Sequence, residues 1–221
     1  MIANNVGFLV EMVTKDKPTV YYGCTFGSEF SAHLEINDLL PDFKKKFPYK
    51  EEDFFKCPSF ISWTKDKLVI NAPADFEITR GAEDDNSIYA QWCVGQFFFF
   101  SDSEVKLTTY PPFMERNDIQ GVVGEMDISS WVRPVNPCSV IPPSGKLEIK
   151  QGQGMLYVGF DRPVKLERVL FPPDINVVGQ ASMVYKRWGM KNRTLDKLYK
   201  NFTKSKYSRV ILKKVKDFNN L

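Results

Sequence analysis

Two carboxylates lie close together in the stretch GVVGEMDISSW, which holds Glu125 and Asp127 two residues apart. If this stretch is a β-strand, both side chains point to the same side of the sheet. Paired carboxylates can act as general acid and base or bind a cation. Asp75 and Glu77 in PADFEIT repeat the spacing, so the pair fits a solvent-exposed strand face equally well.

Aromatic and basic residues elsewhere in the chain extend this pair into a candidate ligand site. Aromatic rings combined with carboxylates suit a sugar or an amine ligand. The candidate ligand-binding residues are Trp63, Glu125, Asp127, Trp131 and Arg133.

The histidine and cysteine content excludes many common catalytic and metal sites. His33 is the only histidine, which excludes HExxH zinc sites, two-histidine iron sites and histidine-rich cupin metal sites. The four cysteines are far apart in the sequence, so CxxC motifs are absent and we expect buried free thiols. The sequence thus indicates no catalytic residue, no metal site and no cofactor, and it favours a non-enzymatic protein.

Positive charge is concentrated towards the C-terminus. Between Met183 and Asp217 there are twelve Lys or Arg and two Asp, a balance of +10, which leaves −7 for the rest of a chain whose net charge is +3. Basic residues interleaved with aromatics are typical of nucleic-acid-binding surfaces. An amphipathic helix packed on the acidic body, or an assembly contact, would give the same pattern. The candidate residues for polyanion binding or assembly are Lys186, Arg187, Trp188, Lys191, Arg193, Lys197 and Lys200.

Short β-rich segments make up most of the chain. From Cys57 onward they recur about every ten residues, with proline and glycine between them and no alternation with helices. We therefore expect a mainly β protein: an antiparallel β-sandwich or jelly-roll-like body in residues 1–179, followed by a basic, partly helical amphipathic segment in residues 180–221.

Individual segments lead to more specific expectations. PSFISW and KLVINA, separated by TKDK, predict a β-hairpin, and QGQG predicts a hairpin turn. Residues 37–53 predict a loop with one short helical turn. The four phenylalanines that end SIYAQWCVGQFFFF predict a buried strand end, with an exposed aromatic patch as the alternative. YSRVILKKV fits a strand and a helix equally well.

The sequence also bears on the cellular location. No window approaches the ~18 consecutive apolar residues of a membrane-spanning helix. The stretch MIANNVGFLVEMV lacks the basic start of a signal peptide, and Glu11 interrupts its apolar part. We therefore expect no membrane partner and a cytoplasmic protein.

Several short motifs are spread over residues 57–172: Cys57-Pro58, Trp63, INAPADFEI around Pro73, IQGVVGEMDISSWV, and FDRP before VLFPPDI. In these motifs the chain resembles an uncharacterised family, a domain of unknown function found in bacteria and in tailed phages of marine bacteria. The resemblance implies a β-sandwich-like fold for residues 57–172. It implies no catalytic residue and no cofactor.

The sequence favours the first of three functions and leaves the other two as alternatives. The first is a non-enzymatic structural or protein-interaction module, phage-encoded, which acts as a virion component or a host-interaction protein in the host cytoplasm or the virion. Its partner would be another protein or a second copy of the chain. The second is a β-sandwich that binds or converts a small sugar- or amine-like molecule. The third is nucleic-acid binding through the basic C-terminal segment.

Overall fold

The computed structural model describes part of the chain. The described residues are 17–24, 36–46, 53–79, 89–91, 97–115, 123–130, 132, 134–135, 138–140, 145–172, 200 and 202–221. His33 lies outside them.

Strands predominate over helices within these ranges. The strands are β1 (Thr19–Cys24), β2 (Ile36–Asp38), β3 (Lys67–Asn71), β4 (Phe76–Thr79), β5 (Tyr89–Gln91), β6 (Phe97–Ser101), β7 (Lys106–Tyr110), β8 (Gly124–Asp127), β9 (Pro134–Val135), β10 (Cys138–Val140), β11 (Lys146–Ile149), β12 (Gly154–Phe160) and β13 (Lys165–Arg168). The helices are α1 (Leu39–Lys46), α2 (Pro58–Thr64) and α3 (Tyr207–Asn219), with a 3₁₀ helix at Asp53–Lys56. None of the helices described is long and apolar enough to cross a membrane.

Two larger sheets contain nine of these strands. The five-stranded sheet has the order β2-β3-β12-β7-β8, and every pair in it is antiparallel. The four-stranded sheet has the order β13-β1-β6-β9 and is antiparallel except for the β1–β13 pair. β4 pairs with β11 and β5 pairs with β10, both antiparallel. The prediction of a mainly β, antiparallel protein with a helical C-terminal part is confirmed.

One hydrophobic cluster, the central cluster, receives side chains from both larger sheets. Its buried members are Val20, Cys24, Leu68, Ile70, Ala72, Phe97, Phe99, Val105, Leu107, Ile128, Val135, Leu147, Ile149, Met155, Leu156 and Val158. Each large apolar side chain taken out of water contributes about 1.5–3 kcal/mol before the loss of chain entropy. Contacts in this cluster therefore hold the two sheets together.

Strand β6 is buried on both faces, which confirms the prediction that its phenylalanines belong to the core. Phe97 and Phe99 point into the central cluster. Phe98 and Phe100 point the other way, and none of the four is more than 2% exposed. The second set belongs to the outer cluster, whose buried members are Tyr21, Phe98, Phe100, Val132, Val169, Phe202, Ile211 and Val215.

Helix α3 covers the outer face of the four-stranded sheet. Ile211 and Val215 are four residues apart, so they lie on one side of the helix and pack into the outer cluster. Lys216 adds a polar contact, because its Nζ lies 2.7 Å from Asp102 Oδ2 and 4.9 Å from the centre of the Tyr21 ring. YSRVILKKV, which the sequence left undecided, is therefore helical, and this part of the basic segment is docked.

Helices α1 and α2 cover the outer face of the five-stranded sheet, where the sequence predicted a loop with one short helical turn and a strand. In α1, Leu39 and Phe43 pack against Val69 and Tyr157. The predicted helical turn is present but extends over two turns, which the proline and the lysine triplet concealed.

The predicted hairpin between PSFISW and KLVINA is wrong, because the first of these segments is α2. Pro58 occupies the first helical turn, where its fixed φ favours a helix and its missing N–H costs nothing. Phe60 and Trp63, three residues apart, then face the sheet together.

The QGQG segment does form a turn, but the turn does not close a hairpin. Gly152 has a φ of 79°, and the Gln153 N–H donates to the Lys150 carbonyl at 3.0 Å. However, β11 pairs with β4, whereas β12 pairs with β3. Ala72 exchanges backbone hydrogen bonds of 2.8 and 2.9 Å with Gln153 and Gly152 at this corner. The paired strands therefore bend here from the five-stranded sheet towards the β4–β11 pair.

Gly23 of β1 leaves room for the chain that follows β13. A Cβ at this position would lie 2.5 Å from the Val169 carbonyl oxygen and 2.7 Å from the Phe171 ring. We expect Gly23→Ala to lower the free energy of unfolding by about 1–3 kcal/mol, because backbone rather than a flexible side chain would have to move. Urea unfolding measures the change.

Gly124→Ala in β8 is the matched control for this substitution. The nearest atom to a Cβ at Gly124 is Thr109 Oγ1 at 3.5 Å, an ordinary contact. We expect a change within about 0.5 kcal/mol. Equal effects of the two substitutions would contradict the close packing at Gly23.

Candidate functional site

A group of polar side chains meets where α1 packs on the five-stranded sheet. We call it the Lys46 cluster; its members are Asp42, Lys46, Asn71, Glu115 and Tyr157. Lys46 Nζ lies 2.8 Å from Asp42 Oδ2, 2.9 Å from Glu115 Oε1 and 2.9 Å from Asn71 Oδ1. Lys46 donates hydrogen bonds to Asn71 and Glu115, and its contact with Asp42 is an ion pair.

The members of the cluster come from different parts of the chain, except Asp42 and Lys46, which both lie on α1. Asp42 and Lys46 are four residues apart on α1 and so lie on the same side of it. Asn71 ends β3, and Tyr157 lies in the middle of β12. Glu115 ends the turn after β7, in which its N–H donates to the Pro112 carbonyl at 2.8 Å.

The cluster is largely shielded from water. The side chains of Asp42 and Glu115 are 5% and 8% exposed, against 20% for Lys46. Asn71 Nδ2 donates to the second oxygen of Asp42 at 3.1 Å. Two carboxylates thus share one ammonium, and the charged groups of the cluster sum to −1 when ionised.

Tyr157 is the one phenol of the cluster and lies in its interior. Burial raises the pKa of Tyr157, and the negative charges of Glu115 and Asp42 raise it further. The phenol therefore stays protonated at neutral pH, so its hydroxyl group can act as a hydrogen-bond donor.

Aromatic rings surround the cluster on the helix side. The Tyr157 ring lies 5.4 Å from Phe43 and 5.5 Å from Phe113. Trp63 continues the row, with its ring 5.3 Å from Phe113 and 5.5 Å from Tyr110. These edge-on contacts are the geometry that aromatic pairs prefer.

The aromatic row already has a cation of its own. Lys67 Nζ lies 4.5 Å from the centre of the Trp63 ring and 5.7 Å from that of Tyr110. An amine ligand would seek the same position over these rings. Burial lowers the pKa of Lys67, although the nearby charge of Asp66 opposes the shift.

The predicted carboxylate pair lies at the edge of the same sheet. Glu125 stands opposite Thr108 in the β7–β8 register, and its Oε1 lies 3.1 Å from Lys106 Nζ in an exposed ion pair. Asp127 accepts hydrogen bonds at 2.6–2.9 Å from the Ser129 N–H and from the hydroxyls of Ser129 and Ser130. The two carboxylates thus have separate partners.

The hydrogen bonds to Asp127 affect the pKa of its carboxyl group. Burial raises the pKa of Asp127, but the donors of Ser129 and Ser130 outweigh burial, and the pKa is lowered. The carboxylate acts as the acceptor that closes this turn. Asp75 and Glu77, the second pair with this spacing, also form exposed ion pairs, with Lys150 and Lys146.

The remaining sequence candidates fall in two groups. Trp131, Arg133, Lys186, Arg187, Trp188, Lys191, Arg193 and Lys197 lie outside the described residues. Lys200 is described, and it is helical and exposed. Of the candidate ligand site, Trp63, Glu125 and Asp127 are thus described, and contacts with other residues of the chain engage each of them.

Asp42, Lys46 and Glu115 were not among the candidates from the sequence. The only local signal was the four-residue spacing of Asp42 and Lys46, which falls in the segment predicted as a loop. Within the described ranges, no group of three His, Cys, Asp or Glu side chains is placed to hold a metal ion.

Cys24 and Cys57, whose side chains the structure describes, differ in environment. Cys24 is 8% exposed in the central cluster, as expected. Cys57 is exposed, which contradicts the expectation of buried thiols. It lies just before α2, whose first N–H groups have no partner within the helix.

Comparison with known proteins gives no relative. No protein-family model matches the chain, and no curated protein and no solved structure matches it significantly. The family resemblance inferred from the short motifs therefore stays a prediction.

The Lys46 cluster leads to a prediction about stability. Lys46→Met keeps most of the side-chain volume but leaves Asp42 and Glu115 without their shared cation. We expect the free energy of unfolding to fall by about 3–5 kcal/mol, because buried charges would lose their partner. Urea unfolding measures the loss, and adding Glu115→Gln to Lys46→Met should recover part of it.

Lys44→Met is the control, since Lys44 lies on the same helix and is exposed. Its effect should stay within about 0.5 kcal/mol. If Lys46→Met costs no more than Lys44→Met, the ion pairs of the cluster contribute nothing to stability.

A second prediction concerns Cys57. Backbone N–H groups of Phe60 and Ser59 lower the pKa of the Cys57 thiol. Because the thiolate is the reactive form, alkylation by iodoacetamide should reach half its maximal rate below pH ~8.5, the value of an unperturbed thiol. Mass spectrometry of digested protein gives the rate at each cysteine separately. A midpoint at or above pH ~8.5 would contradict the prediction.

Proposed function

We propose that this protein is a non-enzymatic structural or protein-interaction module whose two larger sheets form a β-sandwich. The family resemblance supports a phage origin, with a role as a virion component or a host-interaction protein in the host cytoplasm or the virion. The partner would be another protein or a second copy of the chain.

One observation carries the non-enzymatic part of the proposal: Lys46, Lys67 and the predicted carboxylate pair are already engaged by other parts of the chain. Lys46 contacts three oxygen atoms, one each from Asp42, Glu115 and Asn71. Lys67 occupies the position over Trp63 where an amine ligand would bind. Glu125 pairs with Lys106, and Asp127 closes a turn. A ligand would have to displace one of these partners.

Exposed apolar side chains support the interaction part. Among the large apolar residues described, seven are more than a third exposed: Ile61, Phe113, Val123, Leu170, Val210, Phe218 and Leu221. Apolar residues that remain in water gain free energy when a partner covers them.

A ligand screen tests the non-enzymatic part. We expect neutral sugars and primary amines at millimolar concentration to change Tm by less than about 1 °C, because a ligand at 100 times its Kd would add about 2.7 kcal/mol and raise Tm by several degrees. Differential scanning fluorimetry measures the shifts. A rise in Tm that Trp63→Leu abolishes would replace this proposal with the small-molecule alternative.

Site-specific photo-crosslinking in host cells tests the interaction part. A photo-reactive amino acid at Ile61, Val123 or Val210 would sample three separate exposed apolar positions, and Lys65, exposed and polar, serves as control. We expect discrete protein adducts from at least one apolar position and none from Lys65. The absence of adducts at all three apolar positions would contradict the proposal.

A further inference from the structure

Helix α3 has one side in the fold and one side in solvent. Ser208, Ile211 and Val215 are buried. The opposite side, here called the outward face, consists of Arg209, Val210, Lys213, Lys214, Asp217 and Phe218, all of them exposed. Their spacing of three and four residues keeps them on one side of the helix.

The outward face is basic. Arg209, Lys213 and Lys214 are opposed by one acidic residue, Asp217. Lys216 differs from these three cations, because it is drawn into the fold by Asp102 and by the Tyr21 ring. The helix thus uses one lysine for docking and presents a net charge of +2 to solvent. The exposed Lys200, Lys204 and Lys206 precede it and add to the charge.

Apolar side chains accompany this charge. Val210, Phe218 and Leu221 are 49%, 48% and 52% exposed. Leu170, 57% exposed, is held beside the end of α3, since its backbone exchanges hydrogen bonds of 2.9 and 2.8 Å with the side chain of Asn219. The outward face therefore has one apolar residue in its first turn and one in its last turn, while Leu221 follows the helix and Leu170 lies beside its end.

The charge and the apolar residues together select the partner. A second copy of α3 would bring like charges together, which costs free energy. A nucleic-acid backbone would pair with the lysines but would leave the aliphatic side chains in water. A protein segment with acidic residues and a few aliphatic residues would satisfy both.

Resting on the proposed interaction function, we propose that the outward face of α3 binds an acidic amphipathic segment of another protein. The aliphatic residues of that segment would cover Val210 and Phe218, and its carboxylates would pair with Lys213 and Lys214. This is the mode in which amphipathic helices dock on complementary surfaces.

Fluorescence anisotropy with synthetic probes tests the proposal on the full chain. The first probe is a glutamate-rich peptide of about 16 residues with leucines at helical spacing. As a helix it would be about 24 Å long, slightly longer than α3, which has 13 residues. The second has the same composition with the leucines scattered over all faces. The third is a labelled duplex DNA.

We expect the first probe to bind more tightly than the other two. Lys213→Glu with Lys214→Glu should weaken its binding at least about tenfold. The matched control is Lys44→Glu with Lys45→Glu, an exposed lysine pair on α1 with the same change of charge. The control should change affinity less than about twofold. Val210→Ser with Phe218→Ser should weaken binding of the first probe without affecting the second.

Three results would overturn the proposal. The first is no binding of the first probe, and the second is an equal loss of affinity when the lysine pair of α3 and that of α1 are replaced. The third is tighter binding of DNA than of the first probe, with a DNA affinity that Val210→Ser with Phe218→Ser does not change. The last would assign the face to nucleic acid. If photo-crosslinks form at Ile61 or Val123 while the α3 substitutions change nothing, the interaction function stands and the assignment to α3 fails.

Discussion

The burial of β6 on both faces is the constraint on which the rest of the structure depends. A strand with phenylalanine at four consecutive positions has no side to turn towards water, so each face needs a covering layer. Phe97 and Phe99 are covered within the central cluster, to which both larger sheets contribute. Phe98 and Phe100 are covered by α3 and by the chain that follows β13. The four-stranded sheet can thus exist only as an interior layer.

The outer face of the five-stranded sheet is closed by a different kind of interaction. There α1 is fixed by the apolar pair Leu39 and Phe43 and also by the Lys46 cluster. Apolar packing alone allows a helix to slide, whereas a lysine that contacts three oxygen atoms has one favourable position. The Lys46 cluster therefore fixes the position of α1 on the sheet.

Local patterns in the sequence predicted the local features well. The burial of the four phenylalanines of β6 was predicted from the apolar run within a single segment. α2 was missed because PSFISW also reads as a strand, and only the sheet beneath it decides that Phe60 and Trp63 face the same way. α1 was predicted only as one short helical turn within a loop, because its proline and lysine triplet are typical of a loop.

The candidate site was harder to predict, for a physical reason. Lys46 donates hydrogen bonds to Asn71 and Glu115, which are 25 and 69 residues away in the sequence. No short sequence motif links positions so far apart. Glu125 and Asp127 did suggest a pair, yet each is satisfied by its own neighbours in β7 and in the following turn. Spacing places side chains on a face, but only the tertiary structure decides which partner each of them meets.

The covering of β6 by α3 has a consequence for the order of events during synthesis. More than 100 residues separate the end of β6 from the start of α3, so the ribosome completes the sheet strands well before the helix that shields them. Until then Phe98 and Phe100 form an uncovered aromatic surface, the kind of transient exposure that leads to aggregation or to capture by chaperones. The late helix α3 therefore ends the period in which the nascent chain is vulnerable. A nonsense mutation shortly before α3 would release a chain whose sheet is complete but whose outer aromatic surface stays exposed.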